Sequence, residues 1–79
     1  MKIRVRLYGT LGNHIPGYKP LEYVVLDMPA GSTTGDLIDH LTLPRKRVGI
    51  VSVDGRLASA DHELHDNCVV RIYRPLAGG

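Results

Sequence analysis

A single short helical pattern set between strand patterns most constrains the fold of this 79-residue chain. Apolar residues recur at the spacing of one helix face, which predicts a short helix over residues 34–42. Thr33 followed by Asp36 indicates a capping box at its start, with aspartate in place of the usual Glu or Gln. The apolar side chains of this helix, which need a sheet face to bury them, are Leu37, Ile38 and Leu41.

Strand patterns flank the helix on both sides. Ile3, Val5 and Leu7 alternate with charged or aromatic residues, which is the period of a half-buried strand. Asp54-Gly55 is a strong tight-turn signal between two later strands. The predicted strands cover residues 2–8, 21–28, 49–53, 56–58 and 69–73, with a breaker-rich loop over 9–20 and a turn at 66–67.

The order strand, strand, helix, strand, short strand, strand indicates the α+β class. If the first two strands form a hairpin and the helix crosses over, the last strand has to lie parallel to the first, in the middle of the sheet. This is a β-grasp, or ubiquitin-like, arrangement: a mixed sheet of four to five strands packed on one helix. We therefore predict a β-grasp domain over residues 1–75, where Pro75 ends strand pairing because it has no N–H to donate.

Length and composition exclude several classes of protein. Seventy-nine residues suffice for one domain, and a hydrophobic content of 43% permits a core. A net charge of +2 is too small to argue for a nucleic-acid partner. No apolar run reaches the ~18 residues of a membrane-spanning helix, so we expect no membrane association. One cysteine and no apolar signal segment after Met1 lead us to expect a reducing cytoplasm.

The sequence ends on two glycines, Gly78 and Gly79. Because glycine has no Cβ, this strip of bare backbone can enter a channel too narrow for other residues. We expect residues 76–79 to form a flexible, extended tail that presents the Gly79 carboxylate to a reagent. At about 7% glycine, two terminal glycines occur by chance in roughly one chain in two hundred, so an unselected terminus stays an alternative.

Three segments carry a resemblance to a known family. Residues 28–34 with 36–38 and Leu41 are similar to that family's segment between second strand and helix. Residues 51–55 are similar to its Val-Asn-Gly turn, with Asp54 in the Asn place, and 74–79 to its ending. The chain resembles the ubiquitin-like sulfur carriers, which include the small subunit of molybdopterin synthase (MoaD) and the thiamine-thiazole sulfur carrier (ThiS). The resemblance covers nearly the whole chain. It departs from the family at Asn67 and Cys68, which stand in place of Gly and Asp.

The resemblance implies a chemistry for the tail. Gly79 would be adenylated by a partner related to ubiquitin-activating enzymes and then converted to a thiocarboxylate. The chain would not be an enzyme and would bind no cofactor or metal; the partner would use ATP, and the chain has no Gly-rich phosphate loop of its own. Leu76, Ala77 and Gly78 would enter the partner's active site.

A second partner would receive the sulfur, and several recipients stay open. We favour the large subunit of molybdopterin synthase, in the synthesis of a molybdenum or tungsten cofactor, with thiazole synthase as an alternative. A protein modifier joined through Gly79 to lysines is another hypothesis, and a plain interaction module is a third.

The partner-binding surface is predicted on the sheet face opposite the helix. Strand alternation directs four residues there, with Val25 or Tyr23 beside them: Arg4, Arg6, Arg71 and Tyr73. Tyrosine and arginine are enriched at protein interfaces. The alternative is an ordinary solvated face.

The remaining reactive side chains have simpler explanations. We expect Cys68 to be a small buried or edge cysteine rather than a nucleophile, because no His or cation is predictably beside it. His62 and His65 lie among acidic residues without an assigned third ligand, which is a weak metal signal. The cluster Arg45-Lys46-Arg47 is predicted to be a solvated loop.

Overall fold

Five strands and one α-helix make up the computed structural model, which describes residues 1–19 and 22–75. They follow the predicted order, with two short 3-10 additions, the first of them at Gly9–His14 in the breaker-rich loop. The elements are β1 (Lys2–Leu7), β2 (Val24–Asp27), α1 (Thr34–His40), β3 (Val51–Val53), β4 (Arg56–Leu57) and β5 (Cys68–Ile72), with a short 3-10 turn at Arg45–Arg47.

The strands form one mixed sheet in the order β2-β1-β5-β3-β4. β5 runs parallel to β1, and the other neighbouring pairs are antiparallel. The register opposes Val5 to Val70 and Leu7 to Ile72 across the parallel pair. The predicted β-grasp arrangement is confirmed, because the last strand lies in the middle of the sheet beside the first.

One face of the sheet and α1 enclose the core. Alternate residues of the central strands are completely buried, as the period of the strands predicts. Leu37 and Ile38 of α1 pack among them. The capping box that starts the helix is present: the Thr33 hydroxyl accepts from the Asp36 amide at 3.2 Å, and the Asp36 carboxylate accepts from the Thr33 amide at 2.9 Å. The fully buried strand residues are Ile3, Val5, Cys68, Val70 and Ile72.

Both predicted turns form, and each uses a left-handed backbone. Asp54 and Gly55 have φ angles of 50° and 85°, which suits a two-residue hairpin between β3 and β4. Asn67 has φ 64° directly before β5. Asparagine tolerates this region better than most residues, so the turn keeps its geometry without glycine.

The loop after β1 is fastened to the sheet, which the breaker pattern did not predict. The Tyr18 hydroxyl accepts from the Leu7 amide and donates to the Leu7 carbonyl, both at 2.9 Å. Leu11 is buried in the core cluster. The start of the predicted second strand is a further difference, because pairing begins only at Val24. The predicted strand residue Leu21 lies outside the described part of the chain.

Candidate docking face and chain exit

The sheet face opposite α1, termed here the open face, collects side chains from all five strands or their ends. Cross-strand pairs place their side chains on the same face, and the pairs Arg4–Val25, Arg6–Arg71 and Ser52–Leu57 extend it across the sheet. The open face consists of Lys2, Arg4, Arg6, Tyr8, Tyr23, Val25, Asp27, Ile50, Ser52, Leu57, Val69, Arg71 and Tyr73.

The four residues predicted for partner binding all lie on this face, and three of them belong to one cluster. Arg6 and Arg71 are paired directly between β1 and β5. The Tyr73 ring stacks on the Tyr8 ring, with centroids 4.4 Å apart and an interplanar angle of 14°. Arg4 lies two residues before Arg6 on β1, opposite Val25, and extends the positive charge of the cluster.

Tyrosines allow two like charges to lie side by side on the open face. The Arg6 guanidinium lies over the rings of Tyr8 and Tyr23, at 5.7 and 5.9 Å from their centroids. Arg71 donates to the Tyr23 hydroxyl at 3.2 Å. The electrostatic interaction with Tyr23 raises the pKa of Arg71, and contacts with Tyr8 add to it, so Arg71 stays positive.

Three arginines of the open face have no ion-pair partner among the described residues, whereas Lys2 on that face is paired with Asp27. The ion pairs found within residues 1–19 and 22–75 join Lys2 to Asp27 and Arg45 to Asp39, and the His65 ring contacts the Asp54 carboxylate. None of these contacts involves Arg4, Arg6 or Arg71. These three arginines therefore offer their charge to an external group.

Apolar surface is concentrated on the same face. The large apolar side chains that are exposed in the described part of the chain are Tyr23 (39% exposed), Val25 (55%), Ile50 (42%) and Leu57 (77%), and all of them belong to it. Exposed apolar groups together with Tyr and Arg are typical of protein-binding surfaces. Sequence reasoning missed Tyr8, Ile50 and Leu57. Alternation along the predicted strands could have found the first two, whereas Leu57 required its pairing with Ser52.

The C-terminal segment leaves the domain beside this face, from Tyr73 to Pro75, termed here the chain exit. Beyond the end of β5, the Tyr73 amide donates to the Ile50 carbonyl at 2.9 Å, and the Gly49 amide donates to the Tyr73 carbonyl at 2.7 Å. Pro75 has no N–H with which to continue this pairing. The predicted tail residues Leu76, Ala77, Gly78 and Gly79 follow directly and lie outside the described residues.

Cys68 is a core residue at the start of β5. Its side chain is completely buried and belongs to the core cluster, opposite Ile3 of β1. Burial raises the pKa of the thiol, which disfavours the reactive thiolate. The expectation of a small buried cysteine is confirmed.

The other polar clusters form structural contacts. The Arg45 guanidinium contacts the Asp39 carboxylate at 3.1 Å and donates to the Gly35 carbonyl at 3.3 Å, so it ties the 3-10 turn to α1. The hydrogen bond from Arg45 lowers the pKa of Asp39. The predicted solvation is confirmed for the exposed residues Arg45, Lys46 and Arg47, but they form a 3-10 turn, and Arg45 is in addition held by Asp39.

Two kinds of feature are absent from residues 1–19 and 22–75. No group of three or more His, Cys, Asp or Glu side chains in that part is arranged to hold a metal ion. None of its helices has the length and apolar character needed to cross a membrane.

Comparison with known sequences matches most of the chain. Residues 18–79 match the family model described as the ThiS family. The protein RnfH of Halorhodospira halophila is 33% identical over 79 positions, which cover 86% of this chain and 78% of that protein.

Solved structures share the fold at low sequence identity. SAMP1, small archaeal modifier protein 1, from Haloferax volcanii has a TM-score of 0.73 and 17% identity, with 100% of both chains covered. A putative molybdopterin converting factor, subunit 1, from Pyrococcus furiosus has a TM-score of 0.71 and 22% identity, covering 95% of this chain and 98% of that one. A complex of subunits 1 and 2 of the molybdopterin-converting factor from Helicobacter pylori has a TM-score of 0.63 and 18% identity, with 100% of both chains covered.

Proposed function

The chain belongs to the ThiS family, and we propose that it is a sulfur carrier whose Gly79 is adenylated by a partner enzyme and converted to a thiocarboxylate. The observation that carries the proposal is that the family match runs through residue 79 and so includes the diglycine. The position of the chain exit supports it, because the four residues after Pro75 start beside a surface suited to a protein partner.

Activation of the carboxylate explains why a partner is needed. A carboxylate is a poor electrophile because its charge opposes attack. Adenylation joins the Gly79 carboxylate to the α-phosphate of ATP and releases pyrophosphate. Hydrosulfide then attacks the carbonyl carbon, forms the C–S bond and loses its proton, and AMP leaves with one carboxylate oxygen. A thiocarboxylate remains at Gly79, and the sulfur source, like the ATP, belongs to the partner.

The open face is the proposed docking surface for that partner, an adenylating enzyme related to ubiquitin-activating enzymes. Arg4, Arg6 and Arg71 would meet acidic groups, while Tyr73 and the exposed apolar residues would be covered. Leu76, Ala77 and Gly78 would enter the partner's active site. A sulfur-accepting partner would use the same surface, so the two partners would compete.

The sulfur is proposed to serve molybdopterin synthesis, with the large subunit of molybdopterin synthase as the second partner. Similarity to subunit 1 of molybdopterin-converting factors, one of them in complex with subunit 2, supports this recipient. The ThiS family match equally suits a thiazole synthase as the recipient. Supplying the sulfur-loaded chain to each purified synthase and measuring product formation distinguishes the two.

Mass spectrometry of the C-terminal peptide tests the carrier chemistry. Protein isolated with its native partners is expected to carry one sulfur in place of one oxygen at Gly79. Deleting Gly79 is expected to abolish adenylation without lowering the unfolding midpoint, because no core residue is removed. Adding one residue after Gly79 should reduce adenylation nearly as much, since the terminal carboxylate would then lie beyond the reactive phosphate. Full sulfur transfer by the deleted chain contradicts the proposal.

Protein modification is the second candidate, and the fold shared with small archaeal modifier protein 1 favours it. A modifier needs the same adenylate, but a lysine amine of another protein then attacks the activated carbonyl. The C-terminal peptide would be found in isopeptide links to lysines rather than as a thiocarboxylate. Finding those links without any thiocarboxylate replaces the carrier proposal with the modifier.

A further inference from the structure

Gly49 lies directly against the backbone of the chain exit. A Cβ built on Gly49 would stand 2.6 Å from the Arg74 carbonyl oxygen, 2.7 Å from the Arg74 carbonyl carbon and 2.8 Å from the Pro75 Cα. All three atoms belong to the backbone, so no side-chain rotation can relieve the contact. The shortest distance is about 0.8 Å less than the 3.4 Å at which ordinary contact begins.

Conformation alone does not explain a glycine at this position. The φ of Gly49 lies outside the left-handed region, so its backbone would accept alanine. A side chain at position 49 is excluded because the backbone of Arg74 and Pro75 lies too close. Gly9 differs, because a Cβ there would meet the Arg74 side chain at 2.8 Å, and that flexible side chain can move away.

Gly49 also holds the chain exit by a hydrogen bond. Its amide donates to the Tyr73 carbonyl at 2.7 Å, one residue before the Arg74 carbonyl that would clash with a Cβ at position 49. On the following residue, the Ile50 carbonyl accepts from the Tyr73 amide at 2.9 Å. The segment is therefore fixed by two hydrogen bonds and one close backbone contact immediately before the sheet pairing ends.

We propose that Gly49 is a positioning residue: its missing side chain lets the Arg74–Pro75 backbone lie against it, and this contact sets the direction in which the chain leaves the domain. The inference rests on the proposed function, because direction matters when Gly79 must meet an ATP held by a partner docked on the open face. Residues 76–79 follow Pro75 directly, so a change in the position of Pro75 would also move the Gly79 carboxylate.

Steady-state kinetics of adenylation separate positioning from docking. Carrier-dependent exchange of labelled pyrophosphate into ATP is measured with the purified adenylating enzyme of the source organism. Gly49→Ala is expected to lower kcat about tenfold to hundredfold, the loss expected for a misplacement near 1 Å, with KM changed less than about twofold. No side chain of the open face is replaced in this variant, so we expect binding to be preserved.

Gly17→Ala is the matched control. A Cβ at Gly17 meets nothing within 4 Å, and its φ of +76° strains alanine, so this variant loses stability without contact with the chain exit. Its kcat and KM are expected to equal those of the original chain. A kcat for Gly17→Ala as low as that for Gly49→Ala would overturn the inference, since loss of stability would then explain both.

Pro75→Gly provides a test that does not depend on how Gly49→Ala folds. This substitution frees the backbone φ of residue 75, beside the contact with Gly49, without adding an atom. Pro75 lies beyond the strand pairing, so the fold is retained. We expect a fall in kcat of about threefold to tenfold at unchanged KM. An unchanged kcat in both Gly49→Ala and Pro75→Gly overturns the inference. If the original chain supports no exchange at all, the proposed function fails instead.

Discussion

Along β5, Val70 and Ile72 point into the core, while Arg71 and Tyr73 point to the open face. One strand therefore supplies two surfaces of opposite character, separated by a single residue in the sequence. The covered face is apolar along the central strands β1 and β5, because its side chains there are buried away from water. The open face is mixed, with arginine, tyrosine and isolated apolar residues. The covered face therefore determines stability, whereas the open face is free to specialise in recognition.

Truncating one valine on each face provides the strongest test of this difference. Val70→Ala is expected to lower the free energy of unfolding by about 2–3 kcal/mol, because it removes fully buried methyl groups and leaves a cavity. Val25→Ala removes the same atoms from an exposed position and should change the free energy of unfolding by less than about 0.5 kcal/mol. Urea unfolding followed by circular dichroism measures both. Equal losses would mean that the open face is covered in the isolated protein.

Reversing charge on the open face should change binding rather than stability. In the pyrophosphate exchange assay, Arg4→Glu with Arg71→Glu is expected to raise KM about tenfold to hundredfold, because two arginines without acidic partners become repulsive to an acidic surface. The unfolding midpoint should change little, since both side chains lie on the solvent side.

A control with the same net charge separates the surface from the overall field. Arg47→Glu with Arg56→Glu reverses two exposed arginines that lie off the open face. Its KM is expected to stay within about threefold of the original, because distant exposed charges are screened by salt. If both double variants raise KM equally, net charge rather than the open face governs docking. A collapse of the unfolding midpoint in the first variant would mean that its arginines stabilise the fold.

The stacked pair of Tyr8 and Tyr73 on the open face is expected to make a small, measurable contribution to stability. A double-mutant cycle with Tyr8→Ala and Tyr73→Ala is expected to give a coupling free energy of about 0.5–1.5 kcal/mol in urea unfolding, because the two rings are in direct contact. Val25→Ala with Tyr73→Ala, which joins residues of opposite ends of the face, should be additive within about 0.5 kcal/mol. Additivity for the tyrosine pair would show that the stacking contributes no stability.

Local patterns in the sequence predicted most of the architecture. Alternation of apolar residues assigned the buried side of the central strands, and Thr33 with Asp36 marked the start of the helix. Asp54-Gly55 and Asp66-Asn67 identified their turns, because a left-handed backbone favours these residue types. Each of these signals depends on residues within a few positions of one another, which is why reading along the chain was sufficient.

The loops and the edge strand were less predictable. Breakers over residues 9–20 indicated irregular backbone, yet the segment forms a 3-10 helix and is held by Tyr18, whose partner Leu7 lies eleven positions away. Arg45 was assigned to a solvated loop, but Asp39 and Gly35 come within its reach once the helix ends. Composition identifies a loop, and contacts with other elements decide its conformation.

By itself the sequence determined which residues share a strand face, the order of the elements and the diglycine at Gly78 and Gly79, since periodicity and composition are properties of the chain. Only the tertiary structure decided which strands are neighbours. That choice placed Arg6 beside Arg71, stacked Tyr8 on Tyr73, and brought Gly49 against Arg74 and Pro75. The physical reason is that pairing between distant strands depends on the packing of the whole core, which no local pattern encodes.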